Sequence, residues 1–239
     1  MVIDFHSHVL PKMDDGSQSV EESLAMLSRL AAQKVDTVVA TPHFYGFRES
    51  VSAFLARREH SFQRLSEALD GGLPDIHLGA EVAFFSGITA LEDLDCLCFT
   101  GTKTLLLEMP FASWTGYELD AVSTLCLDRG YRVVLAHLER FVPLQSDEGL
   151  MERLLSLPLW VQINAEALLS FARRGRWVEM FRTGRAHLLG SDCHNLTSRP
   201  PNLGAGRKVL DRKAGKETLE RIDELGRRLL TPGAAGGPG

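Results

Sequence analysis

A parallel β/α barrel is the fold class this sequence predicts, on three observations. Seven short β-rich runs are spread along 239 residues, most among apolar neighbours with few charges, as strands buried on both faces are. Helical patterns separate them. Each run leads into a polar residue, in order His8, His43, Glu81, Glu108, His137, Asn164 and Asp192, at successive intervals of 35, 38, 27, 29, 27 and 28 residues. A strand–helix unit needs about 30 residues, and a barrel of such units gathers its functional side chains at the C-terminal ends of its strands. A doubly wound sheet, the alternative, concentrates them at one switch point.

The first run, Val2–Phe5, leads into His6-Ser7-His8, where residues two apart project to the same side. Ser19 followed by Glu22 reads as a capping box, and Leu24, Leu27, Leu30 and Ala31 then keep helical spacing. Thr37–Ala40 is the second run. Val51, Phe54, Leu55, Phe62, Leu65 and Leu69 line one face of the next helix. The runs Ile76–Leu78, Thr104–Leu107, Arg132–Leu135, Leu159–Ile163 and His187–Leu189 follow, with Gly130, Gly175 and Gly184 as helix stops. A last helix covers roughly Lys216–Leu230, so residues 1–230 read as one domain. The Pro/Gly-rich end, Thr231–Gly239, is expected to be a disordered tail.

Apolar content of 44% and charged content of 24% are ordinary for a soluble globular chain. A net charge of −5 without a long basic run offers nothing for nucleic acid or an anionic membrane. No stretch of 18 apolar residues and no basic-then-apolar leader is present, so no membrane insertion and a cytoplasmic location are expected. Cys96, Cys98, Cys126 and Cys193 form no CxxC pattern and are expected to be reduced.

The polar strand ends carry the chemistry. His6, His8, His43, His137 and His194 fall there, joined by Asp15, Glu81, Glu108 and Asp192. Asp192-Cys193-His194 repeats the spacing of His6-Ser7-His8, so the closing strand mirrors the opening one. Nine imidazole and carboxylate groups are too many for one ion. Because carboxylates bridge, the set predicts a cluster of two to three divalent ions, manganese favoured, with iron and zinc as alternatives. His60 reads as a helix-surface residue, His77 and His187 as strand residues, and Cys193 as packing.

The stretches "DFHSHVLPKMDDGSQSVEESLAM", "VVATPHF", "LGAEV", "LLLEMPF", "VVLAHLERF", "VQINAEALL" and "LGSDCHNLTSRPPNLG" resemble, in order, the motifs of the polymerase-and-histidinol-phosphatase (PHP) superfamily. Within it the sequence is most similar to the bacterial metal-dependent protein-tyrosine phosphatases encoded with capsule and exopolysaccharide genes. The resemblance covers about residues 1–204. It implies a distorted (β/α)7 barrel, in agreement with the seven runs. It implies that His6, His8, Glu81 and Asp192 hold a first metal, that Glu81 bridges to a second held with Glu108 and His137, and that Asp15, His43 and His194 hold a third. It implies that Arg140 and Arg199 bind phosphate. This chain departs from the pattern in "AHLER", where proline usually follows the histidine, and in a short segment after His43. That segment, Phe44–Glu49, is expected to shape substrate choice, with Arg48 as a contact.

The implied activity is phosphomonoester hydrolysis by attack of a metal-bridging hydroxide. Four carboxylates against three divalent ions and one hydroxide leave such a centre slightly positive, suited to a phosphate dianion. The implied substrate is a phosphotyrosine protein, namely the tail of a bacterial tyrosine kinase of polysaccharide synthesis. Arg132 stands six residues after Cys126 and Arg199 six after Cys193, the CxxxxxR spacing of cysteine-dependent phosphatases, but the nine metal-type ligands require no cysteine nucleophile. Two other readings use the same residues: a small-molecule phosphatase of the histidinol-phosphatase kind, and a non-catalytic metal-binding regulatory module. A nuclease would need a basic strand-binding surface, which the sequence lacks.

Overall fold

The computed structural model describes residues 1–233. Its elements, in chain order, are β1 (Ile3–Ser7), α1 (Val20–Ala32), β2 (Thr37–Ala40), β3 (His43–Phe44), α2 (Val51–Ser66), β4 (Asp75–Leu78), β5 (Glu81–Ala83), β6 (Thr104–Glu108), α3 (Gly116–Ser123), β7 (Arg132–Leu135), α4 (Leu138–Phe141), α5 (Glu148–Leu155), β8 (Trp160–Asn164), α6 (Ala165–Leu169), α7 (Arg174–Arg182), β9 (Leu188–Gly190), α8 (Leu203–Ala214) and α9 (Lys216–Leu230), with short 3-10 turns between some of them and a π-helical turn, Thr124–Asp128, after α3. All strand pairs are parallel.

Seven runs become nine strands because two of them break. Thr41-Pro42 separates β2 from β3, and Gly79-Ala80 separates β4 from β5. Proline has no N–H to give to a ladder, and the chain bends at both places. One sheet then runs β1-β2-β4 and a second β3-β5-β6-β7-β8-β9. The bends keep the two sheets continuous: Gly79 N donates to Ala40 O (2.9 Å) and Glu81 N to Pro42 O (3.1 Å). The remaining seam, between β1 and the end of β9, is narrow. Asp192 N donates to His6 O (2.7 Å), His8 N donates to Cys193 O (2.9 Å), and Ser7 bridges Cys193. The result is the distorted, incompletely closed barrel expected from seven strand–helix units.

Two apolar layers hold it. Inside, Phe5, Val39, Leu106, Val134, Trp160 and Leu188 fill the lower barrel, and Leu229 of α9 closes its floor. Outside, the helices pack on the opposite strand faces through residues such as Met26, Leu30, Phe54, Leu135 and Ile163. Among the described residues no helix is long and apolar enough to cross a membrane.

Local expectations meet three corrections. Ser19 caps α1 by accepting from Glu22 N, but the Glu22 carboxylate reaches past Ser19 to Gln18 N (2.9 Å), so the box is displaced by one residue. Gly130 and Gly184 do follow helical turns with positive φ, whereas Gly175 lies in the first turn of α7; it is Ser170 that ends α6. His187 precedes β9 rather than lying in it, and its Nδ1 accepts the Val161 N–H. Of the expected tail, residues 234–239 lie outside the described residues.

Candidate functional site

Alternation along β6 and β8 lifts the lining from apolar to polar toward the strand ends. Leu106 is followed inward by Glu108, and Trp160 by Gln162 and Asn164. Strand β1 does not follow this rule. Ile3 and Phe5 face the interior, so strict alternation would turn His6 and His8 outward. A register shift between Asp4 and Ser7 resets the parity and brings both imidazoles in. His137 (φ 28°) and Asp192 (φ 53°) follow β7 and β9 in the left-handed region, which re-aims each side chain at a cost of order 1–3 kcal/mol. Gly190 makes room: a Cβ there would sit 2.6 Å from the Cβ of His6.

Glu81 is the hub. Its Oε2 lies 3.1 Å from His6 Nε2, 3.3 Å from His8 Nε2 and 3.0 Å from His43 Nδ1, and its Oε1 lies 2.7 Å from His137 Nε2. His6 Nε2 and His8 Nε2 face each other at 3.2 Å. Asp192 Oδ1 is 3.5 Å from both, and Glu108 Oε1 is 3.4 Å from His137 Nε2. Asp15 Oδ1 lies 3.5 Å from His43 Nε2 and 3.4 Å from His194 Nε2. Three sets place their ligand atoms within 4.8 Å of one another: His8, Asp15, His43 and His194; His6, His8 and Glu81; His43, Glu81 and Glu108. All nine residues singled out in the sequence thus meet in one cluster, with His137 and Asp192 beside these sets rather than in them.

The donor chemistry fits divalent cations. His43 Nδ1, Glu81 Oε2, Asp192 Oδ1 and His194 Nε2 are buried, point into the cluster and have no well-formed hydrogen bond. Groups left so would cost several kcal/mol together, whereas imidazole and carboxylate are the ligands that borderline divalent ions take. Burial opposes charge on His8, but Asp14, Asp192 and Glu81 outweigh it and hold its pKa well above the ordinary value. His137 behaves alike, burial being overcome by Glu108 and Glu81, and is pushed up to about 9. Burial would raise Glu81, yet His6, His43 and His137 hold it well below the carboxylate range. His194 goes the other way, down to about 3, through burial and then through His8. Metal-binding histidines are neutral, so an ion held by His8 and His137 would have to displace their protons.

Both arginines converge on Asp192. Arg199 Nη2 is 2.7 Å from Asp192 Oδ2, and Arg140 Nη2 donates to the same oxygen. About a third of each side chain is exposed, so they line the mouth. Arg48, by contrast, stands 4.5 Å above the Tyr45 ring.

Three supporting residues, Asp14, Gln162 and Asn195, escape the sequence reading, which gives a fourth, Asn164, only as a polar strand end. Asp14 accepts from His8 Nδ1 and from His43 N (both 2.8 Å) and from Gly16 N (2.9 Å). Gln162 Oε1 lies 3.2 Å from His6 Nδ1 and accepts the His137 N–H (2.8 Å). Asn164 Nδ2 donates to Asp192 Oδ2 (2.8 Å), and Asn195 Oδ1 accepts the N–H groups of Thr197, Ser198 and Arg199. Only the doubled Asp14-Asp15 offered a hint, and a DDG turn does not say which carboxylate faces inward.

Both the sequence and the overall fold resemble known proteins. The pattern of the family described as capsular polysaccharide synthesis, CpsB/CapC, fits residues 2–225. The tyrosine-protein phosphatase CpsB of Streptococcus agalactiae serotype V is 27% identical over 238 residues, covering 92% of this chain and 94% of that protein. The tyrosine-protein phosphatase YwqE of Bacillus subtilis is 28% identical over 238 residues, covering 96% and 91%. A solved structure from work on YwqE of Bacillus subtilis and CpsB of Streptococcus pneumoniae, described as unique metal-dependent tyrosine phosphatases, superposes with a TM-score of 0.82 at 25% identity, covering 96% of this chain and 94% of that one.

Proposed function

Because the chain belongs to the CpsB/CapC family of capsular polysaccharide synthesis and is a metal-dependent phosphatase of the CpsB/YwqE type, we propose that it removes phosphate from phosphotyrosine in a protein, with a bacterial tyrosine kinase of polysaccharide synthesis as its target. One observation carries the reading: a single buried carboxylate, Glu81, in contact with four histidines, beside two arginines that converge on Asp192.

The residue roles we propose are these. His6, His8, Glu81 and Asp192 hold one ion; Glu81, Glu108 and His137 a second; Asp15, His43 and His194 a third. When bound, such ions supply Lewis acidity and water activation near neutral pH. Arg140 and Arg199 turn from Asp192 toward an incoming phosphate, binding its oxygens through charge-assisted bonds and orienting phosphorus over the cluster. Phenolate, of conjugate-acid pKa about 10, departs without a strong general acid. The cysteines stand aside. Burial pushes Cys98 and Cys126 up to about 12 and Cys193 still higher, which leaves these three without thiolate character. All four thiols are unpaired, in keeping with a cytoplasmic location. We also take residues 1–230 as one catalytic domain.

Turnover of a phosphotyrosine peptide beside histidinol phosphate tests the substrate class. The peptide is expected to be the better substrate by kcat/KM; a preference for histidinol phosphate would transfer the site to small-molecule chemistry, and turnover of neither would favour the regulatory module.

Asp14 supplies a further expectation. It fixes the His8 ring so that Nε2 faces the centre, and partners of this kind contribute about 10- to 100-fold to metal affinity or activity. Asp14→Asn keeps the shape and loses the charge. Chelator competition should show ion binding weakened on that scale, and an unchanged affinity would remove Asp14 from the site.

A further inference from the structure

Phe111 lies three residues beyond Glu108 and is 58% exposed, an unusual place for a phenyl ring beside a charged cluster. The position is built. The ring stacks on His137 (centroids 6.2 Å apart, 26° between planes) and leans on the buried Phe141 at 4.8 Å. Phe141 in turn packs on Trp114 at 5.6 Å. The loop is pinned on its far side, where Trp114 Nε1 donates to Pro110 O (3.0 Å), Trp114 N to Gln145 Oε1 (2.8 Å), and Gln145 Nε2 to Ala112 O (3.1 Å).

A second ring borders the centre. Tyr45 stacks on His43 at 5.3 Å, but the Arg48 guanidinium lies over the same ring at 4.5 Å, so Tyr45 is engaged by both. His43, under the Tyr45 ring, contacts Oε2 of Glu81, and His137, under the Phe111 ring, contacts Oε1. Phe111 is the one of the pair whose surface remains free.

We propose that Phe111 is a specificity-determining residue, the wall on which the aryl group of the substrate packs while the phosphoryl group lies at the cluster. The proposal rests on the phosphomonoesterase reading above and adds the source of its preference for an aromatic ester. An aryl ester directs its ring outward from phosphorus along the mouth, where a flat apolar face excludes water from it. A small alkyl group has too little surface to use that face. Aromatic pairs prefer offset or edge-to-face arrangements that an open ring on a fixed base can offer.

The experiment measures binding of phenylphosphonate and methylphosphonate to the metal-loaded protein by calorimetry. The wild type is compared with Phe111→Ala, Phe111→Leu and Phe111→Tyr, with metal content and thermal melts recorded on the same preparations. Phe111→Ala is expected to weaken phenylphosphonate about 5- to 30-fold, equivalent to about 1–2 kcal/mol, and to leave methylphosphonate within about twofold. Phe111→Leu, which keeps an apolar contact with Phe141, should share most of that selective loss, and Phe111→Tyr should restore the wild-type ratio. Equal weakening of both probes, or no change in either, would overturn the wall. Hydrolysis of phosphotyrosine peptide by the wild type is followed alongside. Its absence would defeat the phosphotyrosine reading, and the probe ratio would still decide the role of Phe111.

Discussion

Glu81→Gln is expected to lower phosphomonoesterase turnover at least about 1000-fold, the scale of the several kcal/mol of charge stabilisation that a divalent ion supplies. The carboxylate is wholly buried, with one oxygen within 3.0–3.3 Å of three histidine nitrogens and the other 2.7 Å from a fourth. Glutamine keeps the size of the side chain but loses the negative charge, and it places an amide N–H where one acceptor stood. It cannot bridge two cations. Elemental analysis should therefore find at least one ion fewer per chain in Glu81→Gln than in the wild type, which should itself carry more than one. A chelator should bring wild-type activity down to the same floor, and returned metal should rescue the wild type alone. Normal turnover with full metal in Glu81→Gln would remove Glu81 from the hub. A fully active wild type with one ion or fewer would sink the cluster.

Arg199→Ala should reduce kcat/KM about 30- to 1000-fold, equivalent to about 2–4 kcal/mol, with metal content near normal. An arginine fork gives two parallel bonds to phosphate oxygens, which gain from it most as charge shifts in the transition state. The backbone around Arg199 does not depend on its side chain: Asn195 Oδ1 gathers three N–H groups of the turn, and Arg199 O accepts from His194 N (2.9 Å) and Asn195 N (3.3 Å). Asp192 also keeps Arg140 and Asn164 as partners when Arg199 is removed. A structural ion pair would predict the opposite result, a lower melting temperature with a nearly normal rate. Steady-state kinetics and a thermal melt on one preparation separate the two.

The strand–helix rhythm was legible because it is local. Short β-rich runs of three to five residues, polar residues at intervals near thirty, and the Ser19 cap are each specified by neighbours along the chain. The last helix, read from the sequence as roughly Lys216–Leu230, has those bounds in the structure. The breaks at Pro42 and Gly79 were harder to read, because a strand that bends and continues differs from one that runs straight only in which partner it meets.

The residue types of the candidate site, nine imidazole and carboxylate side chains at or near strand ends and two arginines beyond them, were legible in the sequence alone. Their convergence was decided by the tertiary structure. Asp14 rather than Asp15 holds His8, and Gln162 reaches His6 across a separation of 156 residues. The register shift in β1 turns two imidazoles inward, and left-handed backbone at His137 and Asp192 re-aims two more side chains. No local propensity encodes these features. A residue is held in strained or irregular backbone only when the closed barrel around it offers partners that outweigh the cost, and those partners come from distant parts of the chain.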